Sequence, residues 1–253
     1  MINLLKFEFR KLWQSKSLYI VFSIGFISII MYMLLAKIMF EIFHASLNAT
    51  VSMLSVLVIS NFVSLLGIYL AIFVCSDYSQ HTIKNIYARG YNRSAVYFSK
   101  YLISLFVSLL VAILYIAFGF LFVLISGGYV GSMPANMWGD LALQLWVVVG
   151  LHGLFFGISM MVGKVAGSLA LNLIGVSVLF GLATLFFQII KVDFNVMNYS
   201  LETILGGLSG DLSQMMSTVG IEHSTLIRAL VVPLAYVIIF VGGGWLVNRR
   251  RDV

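Results

Sequence analysis

Six long apolar stretches dominate the chain, at 18–39, 51–75, 101–126, 141–161, 167–190 and 226–247, with short polar segments between them. A transmembrane helix takes roughly 20 residues, so each stretch is long enough to cross a bilayer. None alternates apolar and polar positions as a membrane barrel strand does, and in lipid only a helix or a closed barrel satisfies its own backbone. The pattern predicts an all-α polytopic membrane protein, one transmembrane domain over 1–253 with six transmembrane helices.

Three segments fall outside these runs. Residues 1–16 are amphipathic: Ile2, Leu5, Phe9, Leu12 and Trp13 share one helical face, and Lys6, Arg10 and Lys11 lie off it. That predicts an N-terminal interfacial helix lying along the inner membrane surface. Leu4 and Phe7 fall on the opposite side, where lipid offers them nothing, and are expected to dock a cytoplasmic partner. The basic start mimics a signal peptide, but the apolar run that follows is longer than an h-region and lacks an A-x-A site, so it reads as a retained span.

The segment 76–100 is the long loop between the second and third spans. Ser79 is placed to cap a short helix containing Thr82 to Arg89, with Ile83, Ile86 and Tyr87 as an apolar stripe. Gly90 suits a left-handed helix end and Ser94 a cap for the third span. The segment 191–225 carries Asp193, Glu202, Asp211 and Glu222, and its runs 201–208 and 212–219 are apolar enough for two short helices on the outer leaflet or on the bundle.

Composition agrees: 61% of the 253 residues are apolar and 9% charged, against about 25% charged in soluble domains. Six spans leave no room for a separate soluble catalytic domain. The net charge of +6 is not gathered in one patch, which argues against a nucleic-acid partner. With a cytoplasmic N-terminus, twelve of the fifteen basic residues fall inside and only Lys37, Lys191 and Arg228 outside. This positive-inside bias predicts that both termini are cytoplasmic and supports an even number of spans.

Several chemistries find no residues. The stretch from Gly157 to Lys164 has one residue too many for a phosphate-binding loop, and Val165 stands where the hydroxyl should be. Gly207-Leu208-Ser209-Gly210 has the G-x-S-G form of rhomboid proteases, but it lies with His223 in a polar outer loop. There is no H-E-x-x-H, and His44, His81, His152 and His223 are scattered, so no catalytic residue and no metal site is expected. Cys75 is alone, which excludes an internal disulfide.

Inside the spans there is no carboxylate for a proton relay, and His152 is better suited to a helix–helix hydrogen bond. Asn61, Gln144, Asn172 and Gln188 are polar but uncharged, which favours an amphipathic or lipid-like cargo over an ion. Gly153-x-x-x-Gly157 and Gly163-x-x-x-Gly167 offer close helix contacts, within the chain in preference to a dimer seam.

Asp77, then Thr82-Ile83-Lys84-Asn85, Gly90, Arg93 and Lys100 are similar to the acidic, Gly-Thr-Ile-Lys-Asn, Gly, Arg and Lys pattern of ABC-2 type permeases, the membrane half of bacterial ATP-binding cassette exporters. His81 departs from the glycine common there. The resemblance covers essentially the whole chain. It implies that 76–100 is a coupling loop inserted in a cleft of a separate ATPase subunit, with Asp77, Thr82, Ile83, Lys84, Asn85, Ile86, Tyr87 and Arg89 at the contact; Leu4 and Phe7, from the face they occupy on the N-terminal helix, are the expected second contact with that subunit. In that arrangement Ile83, Ile86 and Tyr87 bury against the partner, while Asp77, Lys84 and Arg89 orient it by charge.

The resemblance further implies no cofactor in this chain, ATP and Mg being held by the partner, and a second permease copy, identical or a paralogue. It implies a place in the bacterial cytoplasmic membrane among lipid, and export of an amphipathic peptide of antimicrobial or toxin-like kind. Drug, antibiotic or lipid export are the alternatives within the class, and a non-transporting membrane scaffold or sensor is the alternative outside it.

Overall fold

The computed structural model describes residues 2–43, 50–79, 82–125, 137–189, 199–201, 203–205 and 223–250. Among them every element is helical. The interfacial helix α1 (Ile2–Trp13) is followed by α2 (Lys16–Phe43), α3 (Thr50–Ser79), the short α4 (Thr82–Ala88), α5 (Arg93–Ile125) and α6 (Met137–Val162). A fifth rod runs through α7 (Val165–Ala170), a π-turn (Leu171–Gly175) and α8 (Val176–Ile189). A sixth runs through α9 (His223–Tyr236), a π-turn (Val237–Val241) and α10 (Gly242–Arg250).

These six rods coincide with the six apolar runs. Four described stretches are long and apolar enough to cross a membrane: Phe62–Ser79, Arg93–Phe118, Leu141–Val162 and Ile227–Arg250. Shorter apolar stretches, Leu18–Ser28 and Val165–Gly175, lie in the first and fifth rods. The architecture is that of an all-α polytopic membrane protein.

Helices α3 and α6 form the enclosed centre. On α3 lie α2, α5 and α7, and on α6 lie α9, its π-turn and α10. The core between them is built from Leu66, Leu70, Val74, Leu151, Phe155 and Phe156, all buried. Large side chains elsewhere, such as Ile24, Phe106, Leu182 and Ile238, stay exposed on the outer faces, as lipid-facing residues should.

The glycines of α6 explain how the last rod comes so close. A Cβ at Gly150 would come within 2.7 Å of the Pro233 ring and one at Gly153 within 2.9 Å of Val237, and one at Gly157 would strike the Phe240 carbonyl. Gly153 and Gly157 therefore serve packing within the chain, as expected. Gly163 ends α6 in a left-handed conformation (φ 68°), and Lys164 is extended before α7 begins. A two-residue link of this kind folds the fifth rod back against the fourth.

Some polar groups inside the bundle are paired across helices, which offsets the cost of burying them, whereas the Gln144 amide and the Tyr69 and Tyr115 hydroxyls have no hydrogen-bond partner among the described residues. His152 Nε2 lies 3.0 Å from Ser104 Oγ, joining α6 to α5 by the helix–helix hydrogen bond anticipated for it. Asn172, in the first π-turn, donates to the Gly67 carbonyl and to Ser159 Oγ. Of the outer segment, residues 199–205 are described in part: Ser200 accepts the Thr203 N–H, and Leu201, Ile204 and Leu205 join the bundle core. The 212–219 helix, Asn61 and the four outer carboxylates lie outside the described residues or side chains.

Candidate functional site

One end of the bundle gathers α1, the end of α3, α4, the start of α5 and the end of α10, so both described chain ends lie together there. At its centre is Asp77, the last buried acid before α3 ends. Its carboxylate pairs with Lys11 of α1 through one oxygen and with Lys100 of α5 through the other. Thr82, the first residue of α4, donates to the same carboxylate at 3.0 Å. A fourth ionisable group, Glu8 of α1, lies 4.0 Å from Lys100. Glu8, Asp77 and Lys100 are fully buried. One carboxylate thus ties four helices to one point.

The local sequence builds the loop around this point. Ser79 does not cap α4; it continues α3 and donates its hydroxyl to the Ser76 carbonyl. At the other end of α4, Gly90 adopts φ 82° and its N–H bonds the Tyr87 carbonyl at 2.9 Å, the left-handed helix end expected of it. Open space surrounds the position where its Cβ would be, so glycine serves the backbone angle alone. The cap of α5 is Asn92, whose Oδ1 accepts the Ser94 N–H at 3.1 Å. Ser94, expected in that role, instead accepts the Trp245 indole N–H of α10.

The apolar stripe is real, but its direction differs from expectation. Ile83 is 2% exposed, and Ile86 packs with Leu4 of α1 and Val96 of α5. Tyr87 is half-buried against the same cluster, with Arg93 over its ring at 5.6 Å. Leu4, read as water-facing, is 2% exposed because α4 and α5 cover that side of α1. Leu12, assigned to the lipid face, also enters the bundle core, whereas Phe9 and Trp13 stay exposed. Ile83, Ile86, Leu4 and Asp77 are therefore internal supports, not open contact residues. What this end presents outward is Lys84, Asn85 and Arg89 of the loop and Phe7 of α1, 47% exposed.

Charge cluster and loop are tied in turn to the last rod. Tyr78 donates to Asn248 Oδ1 at 2.7 Å, and Arg93 donates to the Arg249 carbonyl at 3.2 Å. Tyr97 of α5 donates to the Val241 carbonyl at the end of the second π-turn, at 2.7 Å. Displacement of α4 would thus be felt by α3, α5 and α10 at once.

The ion cluster was not visible in the sequence as a unit, since Lys11 and Asp77 are 66 positions apart. Two signals touch it: Asp77 follows an apolar run and Lys100 precedes the next, so both enter the bundle's edge, and both belong to the pattern similar to that of ABC-2 permeases.

A family profile described as ABC-2 family transporter protein matches residues 4–178. That match takes in α1, the charge cluster, the loop and the first four rods. No curated protein and no solved structure matches the chain.

Proposed function

Because the chain belongs to the ABC-2 transporter family, a family of ATP-binding cassette permeases, we propose that it is the membrane subunit of an exporter driven through the loop that carries α4. The observation that carries this reading is the build of that loop. Seven residues of helix are fastened by Thr82 to Asp77, by Ile86 to α1 and α5, and by Gly90 and Asn92 to the start of α5. A floppy tether transmits no force, whereas a helix held at both ends moves the spans that hold it.

In this reading Lys84, Asn85 and Arg89 meet the ATP-binding subunit, and Phe7 makes a second contact. Ile83, Ile86, Tyr87, Thr82 and Asp77 transmit the motion inward. The end that bears them, with both chain ends, faces the cytoplasm of a bacterial cell; the basic residues concentrated there support that orientation. Two permease copies and two ATPase subunits make the transporter, with ATP and Mg bound only in the latter. The cargo is an amphipathic or hydrophobic peptide, a reading supported by the mainly apolar interior of the spans away from the charge cluster.

The test is co-purification of the chain with candidate ATP-binding cassette subunits from the same genome, followed by ATP turnover of the complex in lipid nanodiscs. Turnover stimulated by amphipathic peptides and not by hydrophilic sugars is the expected result. Stimulation by sugars alone overturns the cargo, and failure of any ATP-binding subunit to assemble with the chain overturns the transport reading in favour of a scaffold.

A further inference from the structure

The charge cluster holds a group that the coupling reading does not use. Glu8 is fully buried, and neither of its carboxyl oxygens has a hydrogen-bond partner. Its nearest cation, Lys100, is already paired with Asp77, as is Lys11 one turn along α1. Two ammonium groups therefore share one committed carboxylate. Ionised, Glu8 would balance the local charge but would have no donor to its oxygens. Protonated, it escapes that desolvation cost but leaves a net positive charge. The two forms are consequently close in free energy.

We propose that the seating of α1 on the bundle is proton-linked, Glu8 taking a proton from water when the helix docks and returning it when the helix lifts. Among the described residues, the charged groups around it are Lys11 on its own helix, Lys100 on α5 and, through Lys100, Asp77 on α3, whose carboxylate also accepts from the Thr82 hydroxyl of α4. Burial pushes the Glu8 carboxyl up to about 7, against the opposing pull of Lys11. With α1 lifted into water, Glu8 returns toward the ordinary 4.5.

The sign follows from linkage. A docked acid with a raised pKa holds its proton over a range where the lifted acid has lost it. Docking is therefore strongest below pH 4.5, weakens as pH rises from 4.5 toward 7, and is constant above 7. The pH of the compartment bathing this end thus sets how firmly α1 is held. The inference stands on the cluster alone and does not depend on what the protein transports.

Hydrogen exchange over residues 2–13 of the full chain in phosphatidylcholine–phosphatidylglycerol nanodiscs tests it, read from pH 5 to 8 and corrected for intrinsic exchange. Wild-type protection of α1 should fall by about tenfold or more toward high pH, while helices α3 and α6 keep theirs. In Glu8→Gln, which keeps the shape without an ionisable group, the profile should be flat. Glu8→Met serves as a second carboxyl-free variant if the glutamine form assembles poorly. A flat profile in the wild type, or an unchanged pH dependence in either variant, overturns the proposal.

Discussion

Lys100 of α5 and Asp77 of α3 form an ion pair with neither side chain reached by solvent. Taking one partner from such a pair costs about 3–5 kcal/mol, because the other charge is left buried and uncompensated. Asp77→Asn should therefore lower the thermal midpoint of the protein in detergent by several degrees. It should also let trypsin cleave after Lys6 and Arg10, whose side chains are exposed but whose backbone is held in α1, since Lys11 loses its partner as well. Unchanged melting and an intact N-terminus would show that the cluster does not hold the helix.

Ile86→Arg places a guanidinium between Leu4 and Val96. The variant should insert normally but melt lower, since a buried charge without a partner is costly. Lys84→Ala and Arg89→Ala remove side chains that face outward, so their melting should match the wild type while capture of the ATP-binding subunit weakens severalfold. Pull-down and melting read together separate the two effects. Equal loss of capture and stability in all three would erase the distinction between supports and contacts.

Gly157→Ala drives a methyl group into the Phe240 carbonyl, and backbone cannot move aside as a flexible side chain does. A loss of about 1–3 kcal/mol is expected from overpacking of this kind. Gly139→Ala, where a Cβ meets nothing within 4 Å, is the control and should be neutral. Melting curves of the two variants decide it.

With Cys75 buried and bonded to the Ser159 carbonyl, the native chain should not react with a membrane-impermeant maleimide. Single cysteines placed near Asp211 should label in intact cells, and those near Arg89 and Arg250 only after lysis. Labelling at Arg250 in intact cells would invert the orientation.

Legibility in the sequence followed the range of the interaction. The six rods were legible because each is a continuous apolar run, and Gly90 because a left-handed helix end is decided within a few residues. The closeness of Gly153 and Gly157 to another helix was also legible, as small residues have few other uses at that spacing. The partners of buried residues were not. Ile83 and Ile86 announce by their spacing that one face of α4 is covered, but helical periodicity is the same whether the cover is a foreign subunit, lipid or the chain's own first helix. Leu4 is placed by the same ambiguity: its spacing shows that it avoids the lipid face, but not that α4 and α5 occupy the other side. The ion cluster depends on side chains from three distant segments, and each charge alone reads as an ordinary membrane-end residue.

The second π-turn, Val237–Val241, carries one residue more than an α-helical turn would need over the same rise. Letting that surplus pass toward either end would shift part of the last rod by about one residue, roughly 1.5 Å along its axis and 100° around it. Tyr97 grips the carbonyl of Val241, where the turn closes, and Tyr97 stands on the same helix as Lys100 and the Asn92 cap. The start of α5 is thereby tied to the rotational setting of the last rod, which packs directly beside it. A small displacement of α5 has a discrete alternative to slow bending: it can turn a different row of that rod's side chains toward its neighbours.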